Sequence, residues 1–327
     1  MKAMILAAGY GARLWPLTAD RAKAALPVLG KPLAAYVAEY LARFGIADIV
    51  INLHHGSESV RGALGDGSRF GVRLRYIEEP VILGTSGALD NARQFLDDET
   101  FVGVNGKIIT DLDLAAAVET HRQTGALATL VLKPNSARER FSVVETREGL
   151  VTRFAGMPSP STDADHAGAP LMFTGIQILE PRVFQYIPRG VFSHSTTDVY
   201  PSAIAQGERI AAHVADGTWY ELSTLQRYLD ISLALLEARG RDTDFGDGCV
   251  VDEGADVRES ILWNDVVVDG NAEVKRAVIG DGVHLEHGQS IKEAVVVRKD
   301  LVSGKETPAK ALSGEVKGDN FVVSLSQ

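Results

Sequence analysis

The densest set of groups suited to holding a polyanion lies near the start of the chain, in LAAGYGARLWPLTADRAKAALPVLGKP, Leu6 to Pro32. Gly9 and Gly11 follow a short apolar run, Lys2 to Ala8, that reads as a buried strand. Glycines at such a strand end let the backbone turn sharply and bring N–H groups close to a phosphate. Arg13 offers a planar fork of donors and Lys23 a point charge, and together they can neutralise a polyphosphate. The spacing is not GxGxxG, because the third glycine is missing, and not the GxxxxGK[ST] of a Walker loop. On residue types alone, an ordinary strand–turn with solvated charges remains open. Lys31, before Pro32, fits a helix start.

Other reactive side chains are more dispersed. His54 and His55 follow a strand end, and adjacent histidines rarely share a metal. Asp111 and Asp113 have the chemistry for Mg²⁺ but sit where a helix cap belongs, before Leu114 to Gln123. Asp198 lies at another expected helix start, where it would cap the helix or order a ligand pocket. Trp219 and Tyr220 suit either the lining of a ligand pocket or core packing. Cys249 is the only cysteine, so an intramolecular disulfide and a cysteine-rich metal site are both excluded.

The elements that must position these groups alternate along the first part of the chain. Strands are expected over Lys2 to Ala8, Ile46 to Leu53, Val72 to Ile77, Thr100 to Val104 and Ala126 to Leu132. Helices are expected over Pro32 to Phe44, around Val60 and Leu64, over Thr85 to Phe95 and over Leu114 to Gln123. That alternation implies an α/β domain with a mostly parallel or mixed sheet. A hairpin around Glu148-Gly149, a loop over Gly156 to Pro170 and a helix over Thr224 to Ala238 complete a domain of residues 1–240. Beyond the charged, glycine-rich stretch Arg239 to Gly248, apolar positions recur every seventeen residues. The columns are Val251/Val268/Leu285, Val257/Val274/Ile291, Ile261/Val278/Val295 and Leu262/Ile279/Val296, with Gly254, Asn271 and Gly288 at the turns. Such columns predict a solenoid of short strands over residues 248–327. Its FVVSL tail is expected to cap it as an edge strand or to help assembly, so a homo-oligomer is expected.

A net charge of −10 argues against a broad nucleic-acid footprint. No apolar stretch reaches the length of a membrane span, and the broken N-terminal run is no signal peptide, so a cytoplasmic protein is expected.

The motifs together resemble a known family. LAAGxGxRxxPLT, then a lysine, then KP, is matched in order by Gly9, Gly11, Arg13, Pro16, Leu17, Thr18, Lys23, Lys31 and Pro32. The likeness continues through LGTSGAL (Leu83 to Leu89), NGxxxTDLDL from Asn105, TGIxILEP (Thr174 to Pro181) and TDVYP (Thr197 to Pro201). These are similar to the signatures of sugar-1-phosphate nucleotidylyltransferases, the NDP-sugar pyrophosphorylases. The resemblance implies a Rossmann-like mixed-sheet nucleotidyltransferase domain followed by a short left-handed parallel β-helix. It also implies that a sugar 1-phosphate attacks the α-phosphorus of an NTP and expels pyrophosphate. Arg13 and Lys23 would hold the triphosphate. Ala8, Gly9, Gly11, Gly84, Thr85 and Asn105 would contact the nucleotide, and Mg²⁺ would bridge the phosphates. Length and the truncated C-terminal repeat resemble mannose-1-phosphate guanylyltransferases, which points to GTP first and UTP second.

The chain departs from the pattern at several points. Lys107 stands where NGD has its metal-binding aspartate, and an ammonium cannot ligate a cation. Glu221 replaces the second aspartate of WxDIGT and retains a carboxylate for Mg²⁺. Ala155, Gly156, Met157 and Pro158 replace the EKP that grips the sugar phosphate, and Phe173 replaces an asparagine. Two outcomes follow. Either Lys107 supplies charge at a remodelled catalytic site, or the chain is a catalytically impaired, nucleotide-binding regulatory homologue. A repeat-bearing acyltransferase is the remaining class, and it would need more coils than these.

Overall fold

The apolar run after Met1 forms β1 (Lys2–Leu6), with Ala3, Met4 and Ile5 fully buried. The structure is a computed structural model describing residues 1–156 and 168–326. It divides into two units, each discontinuous in sequence. The first comprises Met1–Ala8, Ala34–Ser57 and Leu64–Trp219, and the second comprises Gly9–Leu33, Glu58–Ala63 and Tyr220–Gln327.

The first unit is built on a nine-stranded sheet. Its strands are β1, β2 (Asp48–Leu53), β3 (Arg73–Glu78), β4 (Phe101–Asn105), β5 (Ala128–Pro134), β6 (Val143–Arg147), β7 (Leu150–Ala155), β8 (Leu171–Leu179) and β9 (Ile210–Val214). The order is β3-β2-β1-β4-β8-β5-β9-β7-β6. β3, β2, β1 and β4 run parallel, and β8 enters antiparallel between β4 and β5. Near-continuous apolar composition in β1, β2 and β4 follows from burial on both faces. Helix α1 (Leu33–Arg43) buries Val37, Tyr40 and Leu41, and the Tyr40 hydroxyl donates to Leu112 O at 3.0 Å. α2 (Gly84–Asn91) is followed by a separate turn, Arg93–Leu96, so the expected helix over Thr85 to Phe95 is broken at Ala92. α3 (Leu114–Thr124) is capped by Asp113, whose carboxylate accepts from Ala116 N at 3.1 Å. α4 (Tyr200–Ala205) follows a single π-helical turn, Ser195–Val199. The loop expected over Gly156 to Pro170 falls largely outside the described residues.

In the second unit, α5 (Leu225–Glu237) starts at Thr224, whose hydroxyl accepts from Arg227 N at 3.2 Å. The strands that follow are β10 (Asp244–Phe245), β11 (Val250–Val251), β12 (Asp256–Arg258), β13 (Ile261–Leu262), β14 (Val267–Val268), β15 (Glu273–Ile279), β16 (His284–Leu285), β17 (Ser290–Arg298), β18 (Glu315–Lys317) and β19 (Asn320–Ser324). The seventeen-residue columns pair in parallel register: Val251 with Val268, Val268 with Leu285, Val257 with Val274, and Ile261 with Val278.

The expected short left-handed parallel β-helix is nevertheless corrected. β19 lies antiparallel to β17, pairing Val295 with Val323 and Val297 with Phe321, and β18 is antiparallel to β19. The strands thus form one seven-stranded mixed sheet and one three-stranded sheet, not an open parallel solenoid. The reason is the exposed edge. β17 would present a row of unpaired N–H and C=O groups, and the tail covers it. FVVSL is therefore an interior strand, and β18 takes the edge.

Trp263 joins several parts of this unit. Its indole Nε1 donates to the Tyr228 hydroxyl at 3.0 Å, and the Arg21 guanidinium sits 5.0 Å over its ring. Arg21 also pairs with Asp281 at 2.7 Å. Trp263→Ala is expected to lower unfolding free energy by about 3 kcal/mol through the cavity it leaves, measured by urea denaturation. Among the described residues no helix is long and apolar enough to cross a membrane.

Candidate active site

The carboxyl ends of β1 and β4 meet in register, Leu6 opposite Asn105, and Gly106 N donates to Leu6 O at 2.9 Å. A Cβ on Gly106 would lie 2.9 Å from Ile5 Cγ2 and 3.1 Å from Leu6 O, so only glycine fits. That close approach holds Asn105 and Lys107, both half-buried, at the carboxyl end of β1, beside Leu6 and Ala7. Open parallel sheets carry their chemistry at these carboxyl ends. A cavity of 190 Å³ lined by Lys2, Asp48, Arg73, Arg75 and Phe95 lies at the opposite, amino ends of β1 to β3 and includes none of the expected residues.

Asn105 needs a second glycine. The pairing of β8 becomes irregular between Phe173 and Gln177, and Gly175 there has φ +84°. A Cβ on Gly175 would fall 2.2 Å from Asn105 Nδ2. Gly175→Ala is expected to cost about 1–3 kcal/mol of stability from backbone strain and overpacking, read by thermal and urea unfolding. A glycine inside an apolar strand is the one local sign by which this bulge, missed in the sequence, could have been found.

Gly84 and Thr85 open α2, and a distant segment packs against them while both stay half-buried. Gly84 has φ +77°, and a Cβ there would lie 2.4 Å from Ser193 O. That carbonyl accepts from Ser86 N at 3.1 Å and Gly87 N at 3.3 Å. The helix N-terminus is therefore already occupied by protein, and its N–H groups are not a phosphate cradle. The Thr85 hydroxyl accepts from Ser195 N at 2.9 Å, and the His194 backbone donates to Asp198 at 2.6 Å. Asp198 thus orders the covering segment. Ser193 and His194 were missed in the sequence, since nothing local links them to Gly84.

The second unit holds the glycine loop. Gly11 has φ +66°, and a Cβ would meet Lys23 Cβ and Thr18 Cγ2 at 3.1 Å each. Leu14 N and the Thr18 hydroxyl both donate to Gly11 O, at 2.8 and 3.3 Å. Gly11, Thr18 and Lys23 are thus brought together, while Arg13 is exposed on the turn Ala12–Leu14. Ala22 N, next to Lys23, is held by the Ser59 hydroxyl at 2.9 Å. Gly9 does not share the positive φ of Gly11. Nothing lies within 4 Å of where its Cβ would be, which leaves room for a ligand. Lys31 pairs with Val28 in a two-strand turn, and α1 begins after it, at Leu33.

Glu221 is buried at the end of the strand Trp219–Glu221, and its carbonyl accepts from Arg227 Nε at 2.9 Å. Trp219 donates to Thr174 O at 2.9 Å and packs edge-on against Phe141, a core role. Asp111 accepts from Thr218 N at 2.6 Å, which ties two loops and caps no helix. His54 Nδ1 lies 2.7 Å from Glu79 O, and Cys249 Sγ lies 2.9 Å from Trp263 O. Met157 and Pro158 lie outside the described residues. Among the described residues no three His, Cys, Asp or Glu side chains converge as a metal cluster.

The family model described as Nucleotidyl transferase matches residues 2–238, and one described as GlmU-like, C-terminal hexapeptide matches residues 237–307. A UTP–glucose-1-phosphate uridylyltransferase from Synechocystis is 34% identical over 242 residues, 70% of this chain and 61% of its own length. The chain therefore spans less than two thirds of that relative. An N-acetylmuramate alpha-1-phosphate uridylyltransferase from Neisseria meningitidis is 33% identical over 233 residues, 69% of this chain and 95% of its own. The structure of a Bacillus anthracis protein assigned as a glucose-1-phosphate thymidylyltransferase matches with TM-score 0.62 and 26% identity, over 76% of this chain and 98% of that one. With its glycine loop, its β1–β4 junction and a family match across residues 2–238, the chain belongs to the nucleotidyl transferase family.

Proposed function

We propose that the protein joins a nucleoside triphosphate to a sugar 1-phosphate, giving an NDP-sugar and pyrophosphate. A phosphate oxygen of the sugar 1-phosphate attacks the α-phosphorus, and the bond to the bridging oxygen breaks as pyrophosphate leaves. No covalent enzyme intermediate is needed, so catalysis rests on alignment and charge stabilisation. Gly9 and Gly11 offer backbone N–H groups to the phosphates. Arg13 and Lys23 take up the charge that grows on the leaving pyrophosphate. Ala8, Gly84 and Thr85 contact base and ribose, and Asn105 is held ready by Gly175. The carrying observation is the forced glycine at position 11, which packs its backbone onto Lys23 and fixes the turn that presents Arg13.

The donor set does not fit the Mg²⁺ site that the resemblance implies. Position 107 presents an ammonium where the resemblance implies a carboxylate ligand, which leaves Glu221 as the one retained carboxylate of the implied pair. No step is routed through a metal, and Lys107 is assigned to phosphate charge instead.

UTP is the nucleotide we favour, because the relatives at 34% and 33% identity are both named as uridylyltransferases. A pyrophosphate-release assay tests the reading, with each common NTP against a panel of hexose 1-phosphates. Turnover of UTP with one sugar 1-phosphate is the expected result. GTP with mannose 1-phosphate, the pair expected from the sequence, forms the second arm. Nucleotide binding without turnover across the panel would instead support the regulatory homologue.

A further inference from the structure

Asn52 and Glu79 are each only 2% exposed, Asn52 between buried Ile51 and Leu53 at the carboxyl end of β2 and Glu79 directly after β3. Asn52 Oδ1 accepts from Ala7 N at 2.7 Å, and Asn52 Nδ2 donates to Glu79 Oε1 at 2.7 Å. The other carboxylate oxygen, Oε2, accepts from Leu83 N at 3.0 Å. The backbone of Glu79 is fixed as well, its N–H donating to Leu53 O at 2.8 Å. The result is one continuous chain of hydrogen bonds from Ala7 to Leu83. Those two residues directly precede Ala8 and Gly84.

We infer that Asn52 and Glu79 are positioning residues that set the spacing between the two backbone turns that receive the nucleotide. The inference rests on the proposed function. Burying a carboxylate is costly, and an apolar pair at two strand ends would serve stability at least as well. What an apolar pair could not do is hold two particular N–H groups at a fixed separation. The chain also has a single polarity. The Ala7 N–H turns the Asn52 oxygen toward β1, which leaves the amide as a donor, so residue 79 must accept at both oxygens. Either single exchange breaks this. Glu79→Gln sets an NH₂ against another N–H donor, and Asn52→Asp sets two carboxylates against each other. Together they restore every bond. The aspartate accepts from Ala7 N and from the new carboxamide, whose oxygen accepts from Leu83 N.

The test is a double-variant cycle on the full chain, reading UTP and GTP affinity by calorimetry and melting temperature by scanning fluorimetry. Glu79→Gln and Asn52→Asp are each expected to weaken nucleotide affinity tenfold or more, and the double variant to return within threefold of the parent. Single variants that bind as the parent does, or a folded double variant no better than the worse single, would overturn the inference. If the single variants fail to fold, the double variant decides alone. Parental affinity upholds the relay, and a tenfold loss overturns it. A parent that binds neither nucleotide fails the proposed function instead, so the two failures are distinguishable.

Discussion

Arg13→Ala is expected to lower pyrophosphate release by about 10²–10³-fold at saturating substrates, the range for removing one preorganised donor from a developing negative charge. The residue sits exposed on the turn Ala12–Leu14, so its removal leaves no cavity and the melting temperature should stay near that of the parent. Folding is held elsewhere in this loop, by buried Leu14 and Leu17 and by the crowding at Gly11. An unchanged fold with lost turnover therefore isolates the charge. Arg13→Lys should recover only part of the rate, because an ammonium keeps the charge and loses the planar fork. A continuous pyrophosphate assay on the parent and both variants decides it. Activity of Arg13→Ala within threefold of the parent would remove Arg13 from the chemistry.

What could be read in advance depended on whether the cause was local. The turn at Gly11 was legible, because a glycine soon after a buried strand marks a sharp turn, and its positive φ supplies the reason. Gly9 was grouped with it on the same pattern, yet what distinguishes Gly9 is open space and not backbone strain. The seventeen-residue columns were legible because identical spacing leaves one parallel register, and Val257, Val274 and Ile291 do pair. The direction of the last strand was not. FVVSL has the composition of a strand, but composition does not say whether its partner runs with it or against it. Asp111 and Asp113 look alike in sequence. Only the second meets a helix N–H, while the first meets Thr218, 107 residues away. The cover over Gly84 by Ser193 and the bridge from Asn52 to Glu79 were hidden for the same reason. Each is a polar contact between segments whose own patterns are complete without it.

Nucleotide binding is expected to survive removal of Mg²⁺, with the affinity for UTP in excess EDTA within about threefold of that in Mg²⁺. Lys107→Asp is expected to reverse this, losing tenfold or more in EDTA and recovering with the metal. The argument is one of charge. A lysine is an adequate point-charge partner for phosphate, while Mg²⁺ binds through one or two carboxylates and substrate oxygens. The two solutions exclude each other at one position, since an ammonium repels the cation that a carboxylate would hold. Position 107 is also fixed in place, because Gly106 packs against Ile5 and Leu6 too closely for any other residue. The ammonium therefore starts from backbone held at the end of β1, with Gly106 packed against Ile5, Leu6 and Ala7. Calorimetric titration of UTP into parent and variant, each with EDTA and with Mg²⁺, reads the effect without relying on turnover. A parent that binds UTP only with Mg²⁺ would return the site to metal chemistry and leave Lys107 without the role assigned to it. The predicted pattern would instead explain how a chain lacking the aspartate of NGD keeps Arg13 and Lys23 in use.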